Sequence, residues 1–379
     1  MRIGIDVRYL SHGLVGGVHA YVHHFVSALM RLPGDDTFLL VADAKKPLEL
    51  TSLPDRARVT VLPYRNMASS VWNDLTMGRA LESEGLDVMH YPANYGFGPR
   101  NARVIVTLHD AMNILPLGHK LTSTGTRRTA RWLFMTLYLH FASHRAMREA
   151  AGLITVSEHA RQDIHKVSGY PLSRIRAVHH APDPAWQRIV DPVELKTLCG
   201  AFGLKRPFIL ADALKNPAVV VRAWRQLPQA LQNSHQIIFF SRRPDPLPIV
   251  AEAVEAGQAK LIIRPTNLEL MGLFSQAAAF VFPSWYEGFG LPVFEAMRCG
   301  APVIASDRTS IPEVAGGAAL LMDAEDDATL AEHLQRVLTD AGEAERLRRL
   351  GFARVNGLSW DLAARQIREA YAEFSRPGP

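Results

Sequence analysis

Short apolar runs alternate along this chain with segments whose apolar residues recur every three or four positions. The short runs read as buried strands and the periodic segments as helices. In the first half the pattern predicts strands at 2–7, 37–42, 58–62, 87–91, 103–107, 152–156 and 174–179, with helices at 18–32, 71–84, 125–149 and 158–168. In the second half it predicts strands at 207–211, 236–241, 260–264, 278–283, 302–305 and 318–321, with helices at 216–229, 247–256, 267–276, 291–299 and 326–339. Two more helices, 343–355 and 359–375, close the chain. Strand and helix in steady alternation predict an α/β fold with doubly wound parallel sheets. The stretch from Ala181 through about Gly200 breaks the pattern: it carries Pro182, Pro184 and Pro192 and no strong period. Two Rossmann-like domains are therefore expected, 1–183 and 200–356, facing each other across a cleft. Trp360, Leu362, Ala363 and Ile367 form an apolar stripe that would dock a last helix, about 357–379, back on the first domain.

Composition narrows this picture only a little. A length of 379 residues suits two domains, and a hydrophobic fraction of 48% with 21% charged residues fits globular cores rather than disorder. The net charge of +5 suits phosphates or an anionic surface. No Lys/Arg run with interleaved aromatics occurs, so nucleic acid is not expected as a partner. Two cysteines, Cys199 and Cys299, make no disulfide framework and no zinc spacing, which fits a reducing cytoplasm. The N-terminus opens directly on a strand, so no signal peptide is expected. The longest apolar stretch, Trp132 to Ala142, is too short to span a bilayer. No Asp-x-Asp pair occurs, and neither a metal nor another cofactor is expected.

The segment Ser284 to Gly300 carries the most chemistry. An apolar run, Ala277 to Phe282, leads into an acidic glycine loop containing Glu287, Gly288, Phe289 and Gly290, and a helix then begins at Leu291. Free backbone N–H groups and the positive end of a helix dipole at such an edge favour an anion. Glu287 and Glu295 on either side can accept hydrogen bonds from sugar hydroxyls. One short segment could thus hold both ends of a nucleotide sugar; the plain alternative is a capped helix with a solvated glutamate. Gly16 and Gly17, between strand 2–7 and helix 18–32, read as a loop whose amides face a ligand. His109 follows strand 103–107, where a ligand-facing rim would lie. Lys215 stands at a helix start, where the dipole mildly disfavours a cation and an anion partner would relieve it. Helix 125–149 carries Arg127, Arg128, Arg131, Arg145 and Arg148 around Trp132, Phe134, Tyr138 and Phe141. It is either an interfacial helix meeting anionic lipid or a core helix with a solvated basic face, and both readings stand.

The spacing of Glu287 and Glu295 resembles the Glu-x7-Glu signature of family 4 retaining glycosyltransferases of the GT-B fold. Ala301-Pro302-Val303-Ile304-Ala305-Ser306, Ile311-Pro312-Glu313-Val314-Ala315-Gly316 and Leu358-Ser359-Trp360 follow in that family's order. In the first half Gly16 to Tyr21, Thr107-Leu108-His109-Asp110 and Ile154 to Glu158 are similar to its characteristic stretches. The resemblance implies transfer of a hexose, first of all mannose, from a nucleoside-diphosphate sugar to a glycan or lipid-linked acceptor in surface polysaccharide or lipopolysaccharide assembly. It implies that His109 orients the donor sugar and that Lys215 neutralises the diphosphate. Glu287 with Gly288, Phe289, Gly290 and Leu291 would grip sugar and phosphate, Glu295 the ribose, and Gly16 and Gly17 would lie by the phosphates. The implied location is cytoplasmic, with peripheral contact at the inner face of the plasma membrane. The chain departs from the family in Phe208 to Lys215, which lacks the usual Gly and Arg. It departs again in Phe240-Ser241-Arg242-Arg243, where an expected glycine is missing; Arg242 or Arg243 would replace the missing cation. These departures motivate one alternative, a non-catalytic GT-B scaffold; a nucleotide-sugar epimerase, which would act on the donor without transfer, also stays open.

Overall fold

The computed structural model describes residues 1–12, 16–50, 53–118, 129–204 and 206–376. The chain divides into two compact units, Met1–His180 with Ser359–Pro379, and Ala181–Leu358.

The first unit is built on seven parallel strands: β1 (Arg2–Asp6), β2 (Thr37–Asp43), β3 (Ala57–Leu62), β4 (Val88–Tyr91), β5 (Arg103–Thr107), β6 (Gly152–Thr155) and β7 (Ile175–Ala177). Their order is β3-β2-β1-β4-β5-β6-β7. Strands β4 and β6 are buried along their whole length, which is why they read as unbroken apolar runs. The strand order reverses between β1 and β4, the switch point where α/β sheets bind ligands beyond their carboxyl ends.

The second unit holds six parallel strands: β8 (Phe208–Asp212), β9 (Gln236–Ser241), β10 (Ala259–Ile263), β11 (Ala279–Phe282), β12 (Val303–Ser306) and β13 (Ala319–Met322). They run in the order β10-β9-β8-β11-β12-β13, with the switch between β8 and β11. The apolar faces of helices Pro217–Gln226 and Asp327–Thr339 cover one side through Val220, Trp224, Leu330 and Leu334.

The last helix, Trp360–Ser375, belongs to the first unit and starts where the Ser359 hydroxyl accepts the Leu362 N–H (3.1 Å). It packs on helix Gly17–Arg31, with Trp360 stacked on His24 at 5.2 Å between ring centres. Its Tyr371 hydroxyl lies 2.6 Å from His90 Nδ1 in β4. Phe374 sits against β6 at Gly152, where a Cβ would come within 2.3 Å of the ring. Only glycine permits that approach. The buried face is Trp360, Ala363, Ala364, Ile367, Ala370, Tyr371 and Phe374. Leu362, placed in the docking stripe by its hydrophobicity, is instead 37% exposed.

Other differences from the sequence pattern have local causes. The expected helix 71–84 starts at Met67, because Asn66 and Ser69 form a capping box upstream of the first periodic apolar residue. The expected helix 216–229 is interrupted by Pro228 into Pro217–Gln226 and Gln229–Ser234. The prolines of 181–200 conceal helix Pro192–Cys199, which Asp191 caps and which has a proline in its first turn. Helix 125–149 is observed as Ala130–Glu149, and Arg127 and Arg128 lie outside the described residues.

Candidate active site

In the second unit the residues of interest follow successive strands at one edge. After β8, the Asp212 carboxylate accepts the Leu214 N–H (2.8 Å) and its carbonyl accepts the Lys215 N–H (3.2 Å). This turn carries Lys215. Burial holds the Asp212 carboxyl above the usual carboxylate range, although the Leu214 N–H, Lys215 and Arg242 oppose the rise. Asn216 then caps helix Pro217–Gln226 from a left-handed conformation (φ 52°), and its amide donates to the Ala324 carbonyl at 2.6 Å.

After β11 comes the acidic loop. Lys215 Nζ lies 2.6 Å from Glu287 Oε1, and the Ser284 hydroxyl donates to the same oxygen at 2.7 Å. The cation assigned to a diphosphate and the carboxylate assigned to a sugar thus meet across the β8/β11 switch point. The pair is part-exposed, with side-chain accessibilities of 36% and 16%. Such a pair contributes only about 0–1 kcal/mol to stability, so its geometry is easily given up to a ligand. Gly290 caps helix Leu291–Arg298 at φ 100°, a conformation that a side chain rarely takes, and a Cβ there would come within 2.6 Å of Ile311 Cδ1. Of the two loop glycines only Gly290 has this positive φ. Gly290 has no side chain with which to cap this helix, and Pro292 in its first turn has no N–H to satisfy.

Glu295 stands one turn into that helix. Burial pushes its carboxyl up to about 7, with Asp183 adding to the rise and Arg242 opposing it. Arg242, just after β9, is therefore the second cation of this edge, acting on both Asp212 and Glu295. Arg243 closes a turn through its N–H and carbonyl with the Ser241 hydroxyl (3.0 and 2.9 Å), and like Arg242 it is exposed.

In the first unit Gly16 precedes helix Gly17–Arg31 at φ 156°, a region that essentially only glycine enters, and the helix start has no side-chain cap. Gly17, read as part of the loop, is the first helical residue. His109 follows β5. Its N–H donates to Asn94 Oδ1 (2.9 Å), and its Nε2 lies 2.9 Å from the Pro92 carbonyl, so Nε2 carries the proton and Nδ1 is the acceptor. Burial lowers its pKa to about 4, the carbonyl contact opposing, and the ring is neutral at pH 7. Tyr21 meets it edge-on at 4.9 Å and stacks on His180 at 4.8 Å. Asp110 closes a turn by accepting the Met112 N–H at 2.8 Å. A cavity of about 660 Å³ lined by Arg2, Asp35, Arg56 and Asp87 opens at the opposite, amino-terminal edge of this sheet and has no part in these arrangements.

Some residues of these sites gave no signal of their own. Thr309 and Ser310 reach Glu287 only because β11 and β12 are neighbours, whereas Ser284 contacts it from within the same loop. The hydroxyl-rich end of β12, Ser306 through Ser310, was the one available clue. Arg8, buried between Asp6 and Asp74 (both 2.7 Å), was likewise missed. Asp74 also accepts the Tyr95 hydroxyl (3.4 Å) and that of Tyr138, tying helices Met67–Ala80 and Ala130–Glu149 to the end of β1.

Comparison with known proteins finds a family match in each unit. Residues 15–186 match the family model for Glycosyltransferase Family 4, and residues 211–353 match that for Glycosyl transferases group 1. The O-antigen chain mannosyltransferase B of Escherichia coli is 28% identical over 75% of this chain and 74% of its own length. A serotype-specific mannosyltransferase WbdA of Escherichia coli is 28% identical over 59% of this chain, which spans only 29% of that protein. Among solved structures, a sucrose-phosphate synthase of Thermosynechococcus elongatus superposes with a TM-score of 0.71 at 19% identity, over 98% of both chains. Anabaena HepE in complex with UDP-glucose does so with a TM-score of 0.68 at 14% identity, over 98% of this chain and all of that one. These two show the fold. The chain is a glycosyltransferase of the GT-B fold, its first unit belonging to Glycosyltransferase Family 4 and its second to the Glycosyl transferases group 1.

Proposed function

We propose that this glycosyltransferase moves a hexose, mannose in the first instance, from a nucleoside-diphosphate sugar to a hydroxyl of a glycan or lipid-linked acceptor, with retention of configuration. The observation that carries the reading is the meeting of Lys215 and Glu287 at the β8/β11 switch point, beside the uncapped helix Leu291–Arg298. Lys215 and Arg242, with the amides of Gly288 to Leu291, stabilise the charge that grows on the departing diphosphate. These cations do the work that a metal would do, and no cofactor is needed. Glu287 accepts hydroxyls of the sugar and Glu295 those of the ribose. In the first unit His109 presents Nδ1 as an acceptor to the sugar, and the Gly16–Gly17 amides favour an anion. Retention follows if the leaving phosphate takes the acceptor's proton on the face it departs from. The mannosyltransferase relatives support the choice of sugar.

The test is a thermal-shift screen of GDP, UDP, ADP and dTDP sugars, because a ligand of the native state raises its melting temperature by mass action. A hit that acceptor addition turns into product confirms transfer. Conversion of the donor to a sugar isomer without acceptor would make the chain an epimerase, and no response to any donor would make it a scaffold. Titrating the hit with pH examines Glu295. Its pKa near 7 means that the carboxylate, the better acceptor for ribose hydroxyls, fills in between pH 6 and 8. Affinity is expected to rise severalfold over that window, and Glu295→Gln to flatten the rise.

Among the described residues no helix is long and apolar enough to cross a membrane. Helix Ala130–Glu149 nevertheless exposes Leu133, Phe134 and Phe141 beside the exposed Arg131 and Arg148. We propose that this face lies against anionic lipid, where apolar burial and charge act together. Sedimentation with phosphatidylglycerol vesicles should recover the chain at low salt. Phe134→Ser with Phe141→Ser should cut recovery about tenfold. Equal recovery on neutral vesicles would refute the electrostatic part.

A further inference from the structure

Glu287 owes its position to hydroxyls on another loop. Segment 306–310, at the end of β12 and just beyond it, lies beside segment 284–290, which follows β11, because those strands pair in register from Phe280↔Val303 to Phe282↔Ala305. Three of its hydroxyls reach across. The Ser306 hydroxyl donates to the Ser284 carbonyl at 2.7 Å. The Glu287 N–H donates to Thr309 Oγ1 at 3.1 Å. The Ser310 hydroxyl, wholly buried, shares its proton between the carbonyls of Glu287 (3.0 Å) and Phe289 (2.9 Å). Both backbone groups of Glu287 are thereby fixed from outside its own loop.

Two features make these contacts more than incidental packing. Ser310 occupies the N-cap of helix Ile311–Ala315, where a serine normally accepts an N–H of the first turn, yet it makes no cap hydrogen bond. Its hydroxyl serves the acidic loop instead. Thr309 sits at φ 53°, in the left-handed region, which is a true outlier for a β-branched residue. Asn216 and Arg264 have the same sign of φ after β8 and β10, so backbone strain collects at this one edge of the sheet. Strain of that kind persists only where the surroundings over-determine it. Glycine would hold the same conformation without strain, but it would leave the Glu287 N–H without its acceptor.

We propose that Thr309 and Ser310 are positioning residues for transfer: they set the backbone of Glu287 so that its carboxylate stands at Lys215, ready for the donor. The role in transfer rests on the donor reading above; the positioning of the loop does not. Small misplacements of a reacting group cost up to about 10²-fold in rate.

Three variants separate the possibilities. Thr309→Val keeps the shape and strain but removes the acceptor. Thr309→Ser restores the hydroxyl. Thr309→Gly removes strain and acceptor together. Hydrogen–deuterium exchange of the 284–290 segment is expected to quicken in Thr309→Val and Thr309→Gly and to return to the parent rate in Thr309→Ser. Transfer should fall about tenfold or more in kcat in the first two. The melting temperature of Thr309→Gly should equal or exceed that of the parent, a split that a merely structural threonine would not produce. Unchanged exchange in Thr309→Val, or full activity in Thr309→Gly, overturns the proposal. If the parent binds no nucleoside diphosphate while exchange still responds to Thr309→Val, the positioning stands and the donor reading falls.

Discussion

Glu287→Gln is expected to reduce sugar transfer by about 10²–10³-fold while raising affinity for the bare nucleoside diphosphate about two- to fivefold. On the proposed reading the first effect follows from losing the charged acceptor of the sugar hydroxyls where positive charge develops in the transition state. The second follows from the Lys215–Glu287 contact of 2.6 Å. In the parent, Lys215 divides its charge between this carboxylate and an incoming phosphate. Glutamine keeps an oxygen for the Ser284 hydroxyl, so the loop retains its form, but it releases the ammonium. A part-exposed pair is worth no more than about 1 kcal/mol, which sets the ceiling on the gain. Calorimetry with the diphosphate alone, beside turnover with the complete donor, reads both effects. Diphosphate affinity that falls in parallel with turnover would mean that Glu287 builds the phosphate site itself.

The second large effect is acid unfolding of the first unit. His90 is wholly buried in β4, held between the Tyr371 hydroxyl (2.6 Å) and Thr107 Oγ1 (2.8 Å), and Tyr21 continues the chain at 3.1 Å from Thr107. Such a chain suits a neutral imidazole, with one nitrogen donating and the other accepting. Burial, with His109 nearby, lowers its pKa to about 3. Burial lowers His109 to about 4, and burial with neighbouring imidazoles holds His180 well below its ordinary value. In the unfolded chain each titrates near pH 6.5. Below that pH the unfolded state takes up protons that the folded state refuses, so stability falls as pH falls. With His90 and His109 alone the slope approaches about 3 kcal/mol per pH unit, so about 4 kcal/mol is lost by pH 5, and His180 acts in the same sense. That is a large part of the stability of an ordinary domain. Glu295 acts in the opposite sense on the second unit. Its raised pKa stabilises that unit below about pH 4.5, and the benefit disappears as pH rises through 7. Calorimetric scans between pH 7.5 and 5 should show the first unit's transition moving sharply down. His90→Gln should shallow that slope by about 1.4 kcal/mol per pH unit. A first-unit transition indifferent to pH would contradict the account.

How much of this could be read in the chain beforehand depended on distance along it. Each strand fell within about two residues of its apolar run; central strands such as β4, β6 and β11 are buried on both faces and leave an unbroken signature, while the edge strand β3 is largely exposed. The acidic loop was legible because strand, glycine and helix start are consecutive. The hidden helix Pro192–Cys199 was too short to establish a period among its prolines. Leu362 has the right chemistry but the wrong phase on its helix. The ion pair of Lys215 with Glu287 and the hydroxyl contacts of Thr309 and Ser310 depend on which strands are neighbours. Asp74 with Arg8, and Tyr371 with His90, also join residues far apart in sequence. Hydrophobic periodicity says where a strand is and nothing about what lies beside it.

The return of helix Trp360–Ser375 to the first unit also bears on how the protein is made. Tyr371, which completes the His90 chain, and Phe374, which covers Gly152, leave the ribosome only after all of the second unit has been synthesised. Until then β4 and β6 carry a bare apolar stripe and a buried imidazole without its phenol. The half that is translated first is thus the half that matures last, and the nascent chain must shield that stripe throughout the interval.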